Sequence, residues 1–391
     1  MGWIEVVFWV CVLLVVYTYV GYGVLLYVLV KAKELFRKPV EREAPDQWPE
    51  ITLLIAAYNE ESVIEEKMAN CRALQYPQGK LTIAWVTDGS TDGTDRLLST
   101  YSGIQLISGG PRAGKAAAFN RAMPYISTSI TVYTDANTML NPEAILEIAK
   151  AFSNPRVGCV AGEKRVVSQQ GQGATAGEGI YWKYESVLKA LDDRLYTTVG
   201  AAGELFAIRT PLYIALPPDT LLDDFILSME IARRGYKIAY CKQAYACETA
   251  SADMREEAKR KVRIAAGGLQ SIGRLRGLLN VFRYGTLSFQ YISRKVLRWS
   301  AAPVALFLLV PLNILQVAAG VHVSLYGTIL GLQVLFYAAA VYGYLCSEKG
   351  KVPRWAFVPY YFLFMNANVI RGMFYLRRNK GKGTWEKARR G

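Results

Sequence analysis

Two oxygen-bearing side chains at the end of an apolar run have the spacing of a cation site. Asp135 and Asn137 stand two residues apart at the end of the run 129–136, and one strand end can hold a hard divalent cation with such a pair. We predict Mg²⁺ or Mn²⁺ there, because such an ion bridges phosphate oxygens. Lys115 follows a glycine and adds a point charge suited to the same phosphates, although a solvated loop lysine has the same sequence pattern.

A second set of candidates lies at the ends of two earlier apolar runs. Ala57 and Tyr58 close the first run, where the Tyr58 ring offers a face for a base and Glu60 an acceptor for a nucleobase N–H. Asp88 ends the next run before a Gly-rich turn, beside a predicted helix start that also suits an anionic ligand. Both clusters have an ordinary alternative, a helix cap for the first and a surface turn for the second.

Two later segments complete the candidates. Gly203 and Glu204 end a stretch of small residues, 200–204, which permits close approach of a second substrate to the backbone, although a Gly-rich turn looks the same. Asp223 and Asp224 head a predicted helix, where paired acids also serve as caps favoured by the helix dipole. Repulsion between these two carboxylates would raise the pKa of one of them.

The scaffold for these side chains is an alternation of strands and helices. Four β-rich runs, at 51–58, 81–88, 104–109 and 129–136, are separated by helical stretches. This spacing predicts an α/β fold with a mostly parallel sheet and right-handed crossovers. Ligands of open α/β sheets bind at the carboxyl ends of the strands, so the polar clusters that end these runs mark one site.

The composition excludes several classes of protein. With 52% hydrophobic residues and a net charge of +14 over 391 residues, the chain is not expected to be disordered. Its six cysteines form no C-x-x-C pair and His322 is the single histidine, so neither a disulfide scaffold nor a His-based metal or nucleophile site is expected. The basic excess gathers near 254–275 and in the tail, where anionic lipid headgroups attract it. We therefore expect no nucleic-acid partner.

Long apolar segments predict a multi-pass membrane protein. Residues 3–30 are apolar apart from Glu5 and long enough to cross about 30 Å of hydrocarbon. Because basic residues follow this segment, the next region is expected to be cytoplasmic, at the inner or plasma membrane of the cell. Two further spans are predicted near 300–320 and 323–346.

The third apolar stretch near the end of the chain has a different character. Residues 355–376 include Asn366, Asn368 and Arg371, which are costly in lipid, and basic residues flank both ends. We predict that it enters the membrane without a simple crossing or packs these side chains against protein, with a cytoplasmic tail. The predicted organisation is a membrane helix (1–30), a linker (31–47), a cytoplasmic domain (48–250), amphipathic interface helices (251–298), a membrane region (299–376) and a basic tail (377–391).

In their order along the chain, these clusters resemble a membrane-integrated processive glycosyltransferase of family 2, the class that includes cellulose, chitin and hyaluronan synthases. The resemblance implies a type-A glycosyltransferase domain, a UDP-sugar donor and an inverting transfer. By matching positions it implies a nucleotide site of Ala57, Tyr58, Glu60, Asp88 and Lys115, a metal site of Asp135 and Asn137, and Asp224 as the base. Asp224 also suits this role chemically, because the base must lie on the side opposite the departing UDP and away from the metal.

The resemblance extends to the acceptor side, with departures. It implies acceptor contacts at Gly203, Glu204, Arg260, Arg263 and Trp385. Where such enzymes carry Q-x-x-R-W, this chain has Arg at 260, retains Arg at 263 and has Ile at 264, so the aromatic platform for a sugar is missing. Trp299 or Trp385 are the candidates for replacing it. Asn137 replaces the second acid of the D-x-D metal motif, which removes one charge from the cation site.

The acceptor remains open between two hypotheses. The first is extension of a β-linked polysaccharide or oligosaccharide from UDP-GlcNAc or UDP-Glc, and the second is addition of one sugar to a membrane lipid. The missing Gln and Trp and the few spans favour the lipid, whereas the Gly203–Glu204 segment and the tail around Trp385 favour the saccharide. An inactive membrane scaffold is a third reading, which the retained acids Asp88, Asp135 and Asp224 disfavour. The expected partners are the donor, the acceptor and membrane lipids, and a secretion partner is left open.

Overall fold

The computed structural model describes residues 2–36, 43–167, 173–249, 254–347 and 352–378, and side chains outside 167–181. Trp385 and the rest of the tail lie outside the described residues. Eight strands form one mixed sheet in the order β3-β2-β1-β4-β7-β6-β8-β5. They are β1 Ile51–Ala57, β2 Leu81–Thr87, β3 Ile104–Ile107, β4 Ile130–Asp135, β5 Met139–Leu140, β6 Val157–Val167, β7 Leu205–Arg209 and β8 Lys237–Thr249.

The four strands predicted from the sequence are confirmed as β1 to β4, which pair in parallel. The other half of the sheet is mixed. β7 runs antiparallel to both β4 and β6, and β5 runs antiparallel to β8, while β6 and β8 are parallel. The carboxyl ends of β1, β2 and β4 therefore lie at one edge, together with the chain that leads into β7.

Helices cover both faces of this sheet. In the domain they are α3 Ile64–Arg72, α4 Thr94–Ser99, α5 Lys115–Ala122, α6 Ala144–Ala151, α7 Gly173–Leu195 and α8 Asp223–Arg233. Outside it they are α1 Trp3–Val16, α2 Tyr22–Phe36, α9 Met254–Arg274, α10 Val281–Tyr284, α11 Thr286–Tyr291, α12 Leu297–Trp299, α13 Ala301–Ala318, α14 Val323–Ser347 and α15 Arg354–Arg378. One apolar core packs around Phe119, Tyr133 and Phe206, and a second around Ile51 and Trp85, on the opposite face.

Three helical segments among the described residues are long and apolar enough to cross a membrane. They are Trp3–Phe36, which joins α1 and α2 through a π-helical turn, Ala301–Ala318 and Val323–Ser347. α15 does not belong to this set. Asn366 and Asn368 of α15 are buried, and the Tyr19 hydroxyl of the first segment donates to Asn366. The expectation that these amides pack against protein is met, whereas Arg371 is exposed.

A buried ionic cluster joins the first apolar segment to the domain. Asp192 of α7 accepts hydrogen bonds from the Tyr22 hydroxyl at 2.5 Å and from Gln290 at 3.1 Å, and it pairs with Arg294. Arg294 also contacts Glu185 at 3.1 Å. A buried charge is tolerated only when paired in this way, so the cluster fixes the domain against the helices beside it.

Candidate active site

The centre of the site is an ion pair between α5 and the end of β4. Lys115 Nζ lies 2.5 Å from Asp135 Oδ1. Lys115 is the first residue of α5 and is not the solvated loop lysine of the alternative interpretation; it follows Gly114, whose φ of 96° lies in the left-handed region that favours glycine. Burial alone would lower the pKa of Lys115, but Asp135, Asp223 and Asp224 raise it above its usual value.

Asp88 holds the loop that leads into α5. Its Oδ1 accepts from the backbone N–H of Ala113 at 2.9 Å, and its Oδ2 accepts from that of Gly114 at 2.8 Å. Asp88 itself is buried at the carboxyl end of β2. Two charge-assisted hydrogen bonds from consecutive backbone N–H groups fix this loop. Asp88 therefore fixes the position at which α5, and with it Lys115, begins.

Gly203 brings the two halves of the site together. A Cβ built at this glycine would lie 3.2 Å from Lys115 Nζ and 3.3 Å from Asp224 Oδ2, so both charged atoms border the same small space. Three residues earlier, Gly200 has a φ of +81°, and a Cβ there would lie 2.2 Å from the Phe225 ring. At Gly200 only a residue without a side chain can pass so close to the start of α8, whereas a Cβ at Gly203 would require Lys115 and Asp224 to shift by a few tenths of an ångström.

The two acids at the start of α8 differ in their surroundings. Asp223 is buried, and its Oδ2 has no hydrogen-bond partner within the described part of the chain. Asp224 Oδ1 accepts from the Phe225 N–H at 2.8 Å. Burial, and after it the charge of Asp223, raises the pKa of Asp224 to about 7, against the lowering effect of Lys115. A carboxylate with a pKa near neutral pH is suited to general-base work.

The candidate nucleotide residues lie at the ends of β1 and β2. Ala57 is buried and Tyr58 is half-buried. One face of the Tyr58 ring is covered by the Arg112 guanidinium, whose carbon lies 3.9 Å from the ring centroid. The Glu60 N–H donates to the Thr94 hydroxyl at 2.9 Å. A base that stacks on Tyr58 would therefore use the other face of the ring or displace Arg112.

On the acceptor side, the structure places Glu204 differently from the sequence expectation. Its Oε1 lies 2.6 Å from Lys164 Nζ and 3.2 Å from an Arg260 nitrogen, Nη2. Lys164 and Arg260 also share Glu248. Arg260 therefore lies beside Glu204, and the Glu204 carboxylate is engaged in an ion-pair network instead of standing open to a ligand. These two cations hold the pKa of Glu204 below its usual range, against the effect of burial.

The missing aromatic platform is not supplied by Trp299. Its ring is buried against Phe225, and it lies where a Cβ on Gly268 would be, at 2.3 Å. Sequence reasoning missed Trp182 of α7, whose ring lies 5.0 Å from Lys164 Nζ and 5.9 Å from Lys261 Nζ. No spacing signal along the chain links Trp182 to these lysines. Arg263 is half-buried on α9.

The donor set at Asp135 suits a hard cation. Among the described residues no group of three or more His, Cys, Asp or Glu side chains can hold a metal ion, so Asp135 and Asn137 would supply only part of the coordination shell. Three carboxylates, those of Asp135, Asp223 and Asp224, act on the single ammonium of Lys115. The excess of negative charge fits a divalent ion, whose remaining ligands would come from phosphate and water.

Comparison with solved structures shows the same fold in a mannosyltransferase from Pyrobaculum calidifontis, PcManGT, determined in complex with GDP-Man and Mn²⁺. The TM-score is 0.71 at 22% sequence identity, and the match covers 96% of this chain and 99% of that one. The match therefore includes the helices outside the domain.

Two curated relatives are similar to part of this chain. A β-monoglucosyldiacylglycerol synthase from Nostoc sp. is 28% identical over 182 residues, which are 44% of this chain and 37% of the relative. A poly-β-1,6-N-acetyl-D-glucosamine synthase from Staphylococcus aureus is 26% identical over 234 residues, 57% of this chain and 55% of the relative. The match thus covers about half or less of each relative's length.

The family comparison covers the part of the chain that contains the site. The model described as "Glycosyltransferase like family 2" matches residues 49–267, which are more than half of the 391 residues and include the described candidates for the nucleotide, metal, base and acceptor sites. The chain belongs to glycosyltransferase family 2.

Proposed function

We propose that this protein transfers a sugar, with inversion, from a UDP-sugar to a hydroxyl acceptor at the cytoplasmic face of a membrane. The observation that carries the proposal is the arrangement around Gly203. There Lys115 and Asp224 approach one small space from opposite chain segments, within 3.2 and 3.3 Å of the position of a Cβ. A cation for the leaving diphosphate and a base for the incoming hydroxyl are both required by such a transfer.

The donor half of the site is formed by β1, β2 and β4. Asp88 fixes the start of α5 through two backbone bonds, and Lys115 is thereby aimed at the diphosphate. When bound at Asp135 and Asn137, Mg²⁺ or Mn²⁺ would neutralise charge on the diphosphate oxygens as the bond to the sugar breaks. Tyr58 would stack on the base. The exposed Arg112 at its ring would meet the nucleotide from the solvent side.

The acceptor half is formed by Gly203 and the start of α8. Asp224 takes the proton of the acceptor hydroxyl, whose oxygen then forms a bond to the anomeric carbon. The bond from that carbon to the diphosphate oxygen breaks, and the electron pair leaves with the diphosphate. Because attack comes from the face opposite the leaving group, the anomeric configuration inverts. The pKa of about 7 for Asp224 leaves a large ionised fraction at neutral pH.

For the acceptor we propose a growing β-linked saccharide, and a membrane lipid as the second candidate. Trp182, placed beside the Glu204–Lys164 pair, favours the saccharide because aromatic rings supply stacking area for sugars. The burial of Trp299 and the Ile at position 264 favour the lipid, since they remove the expected platform. Similar relatives carry names of both kinds, a glycolipid synthase and a polysaccharide synthase.

The test measures release of the nucleoside diphosphate by the full-length protein in nanodiscs. Purified protein is supplied with UDP-Glc, UDP-GlcNAc or GDP-Man, each with Mg²⁺ or Mn²⁺, and with saccharide or diacylglycerol acceptors. We expect acceptor-dependent release of UDP from one of the first two donors, and no turnover by Asp135→Ala. Product that enters organic solvent identifies the lipid acceptor, whereas a ladder of products on a gel identifies the saccharide. Absence of release from every donor, or release only from GDP-Man, contradicts the proposal.

A further inference from the structure

The ammonium of Lys115 lies where a cation at Asp135 would have to bind. Its Nζ is 2.5 Å from Asp135 Oδ1, and both side chains are partly exposed, 26% for Lys115 and 30% for Asp135. A divalent ion on the same oxygen would lie within repulsive distance of this ammonium. The two cations therefore compete for one carboxylate oxygen.

Asp223 has no evident role in its present surroundings. It is 7% exposed, and its Oδ2 has no donor among the residues that the structure describes. A buried carboxylate oxygen without a hydrogen bond is costly for a folded protein. The fold nevertheless retains it next to Asp224, in the first turn of α8.

The start of α8 lies close to the Lys115 ammonium. Lys115 Nζ already lies near the space that Gly203 leaves empty, and Asp224 Oδ2 borders that space from the other side. The negative charge of Asp223 acts on Lys115 more strongly than that of Asp224 does, and it is second only to Asp135 in raising the pKa of Lys115. The carboxylates at the start of α8 are therefore alternative partners for the Lys115 ammonium.

We propose that Lys115 competes with the metal ion for Asp135, and that Asp223 is a positioning residue that receives the Lys115 ammonium when the ion binds. The inference rests on the proposed function only in taking Asp135 as a metal ligand. It explains the buried, unpaired oxygen of Asp223 as a site kept for the displaced ammonium. Its consequence is that the ion binds weakly to the enzyme alone, and tightly only when a diphosphate adds negative charge and draws Lys115 away from Asp135.

The test measures Mn²⁺ binding without any donor, by the electron paramagnetic resonance signal of free Mn²⁺ over full-length protein in nanodiscs. Lys115→Met should lower the Kd for Mn²⁺ by about tenfold or more, since a charge-assisted bond no longer has to be broken. Asp223→Asn should raise the Kd several-fold, because the displaced ammonium loses its partner. Lys150→Met is the matched control, as Lys150 is also paired with a carboxylate, at 2.7 Å, but lies on α6 away from the site. Its Kd should equal that of the unmodified protein.

A double variant separates positioning from direct ligation. If Asp223 acts through Lys115, Asp223→Asn should have no effect on the Kd once Lys115 is Met. A weakening that persists in the Lys115→Met background makes Asp223 itself a ligand and overturns the proposal. An unchanged or higher Kd in Lys115→Met also overturns it, as does Mn²⁺ binding that Asp135→Ala does not reduce. Because this readout needs no turnover, it can succeed even if the diphosphate-release assay fails.

Discussion

Replacing Asp224 by Asn tests the proposed base most directly. The substitution keeps the shape of the side chain and an oxygen that accepts from the Phe225 N–H, a bond of 2.8 Å. It removes the ability to take a proton. We expect kcat to fall by about 10²-fold or more, which is the scale of general-base catalysis, while the affinity for UDP changes little.

The raised pKa of Asp224 predicts how strongly kcat depends on pH. With the pKa of Asp224 at about 7, about one tenth of the carboxyl groups are ionised at pH 6 and about nine tenths at pH 8. The kcat of the unmodified enzyme should therefore rise about tenfold between these pH values. An Asp with its ordinary pKa near 4 would give a flat profile over this range. The residual rate of Asp224→Asn should lack the rise.

Stability provides the control for folding. The folded protein keeps the Asp224 proton at pH values where the unfolded chain has lost it, because the pKa is raised from 3.8 to about 7. Ionisation of this group therefore favours unfolding progressively as the pH rises through that interval. Asp224→Asn should melt at or above the temperature of the unmodified protein at pH 8, with a smaller difference at pH 5.

The assay is steady-state sugar transfer at saturating donor and acceptor from pH 5.5 to 8.5, with UDP binding and thermal unfolding measured on the same samples. Two results would contradict the assignment of Asp224 as the general base. One is a kcat in Asp224→Asn within a few-fold of the unmodified value, and the other is loss of UDP binding together with turnover. Either would remove Asp224 from the role of base and direct attention to Glu204 or to a group of the substrate.

Four further substitutions, one of them a control, test how the scaffold is held together. Asp88→Ala removes the two backbone contacts that fix the loop before α5, and we expect the KM for the donor to rise about tenfold in steady-state assays with little change in melting temperature. Gly200→Ala should destabilise the fold by about 1–3 kcal/mol in thermal unfolding, since its Cβ meets the Phe225 ring. Gly235→Ala, with positive φ but open space, isolates the backbone part of that cost. Arg294→Met removes the ion-pair partner of the buried Asp192 carboxylate, while Glu185 keeps its pairs with Arg298 and Lys295, and a loss of about 3–5 kcal/mol is expected in the same measurement.

Local sequence pattern was sufficient for the parallel half of the sheet and for the acids at its edge. The apolar runs that became β1, β2 and β4 end at Ala57, Thr87 and Asp135. Parallel strands bring their carboxyl ends to one edge, so the polar residues after each run had to meet. Apolar length alone likewise identified the segments able to cross a membrane. In each case the signal depends on neighbouring residues along the chain.

What the sequence left open depends on contacts between distant segments. Glu204 is separated by 40 residues from Lys164, its ion-pair partner, and no spacing rule predicts that a candidate acceptor ligand will be neutralised in this way. Trp299 looked available as an aromatic platform until packing against Phe225 buried it. The adjacent acids Asp223 and Asp224 predict a raised pKa for one of them, but only the fold decides that it is Asp224, mainly through burial. The fold also leaves an oxygen of Asp223 buried with no hydrogen-bond partner among the described residues. Burial and through-space charge decide these properties, because both depend on which chain segments surround a side chain and not on the residues beside it in the chain.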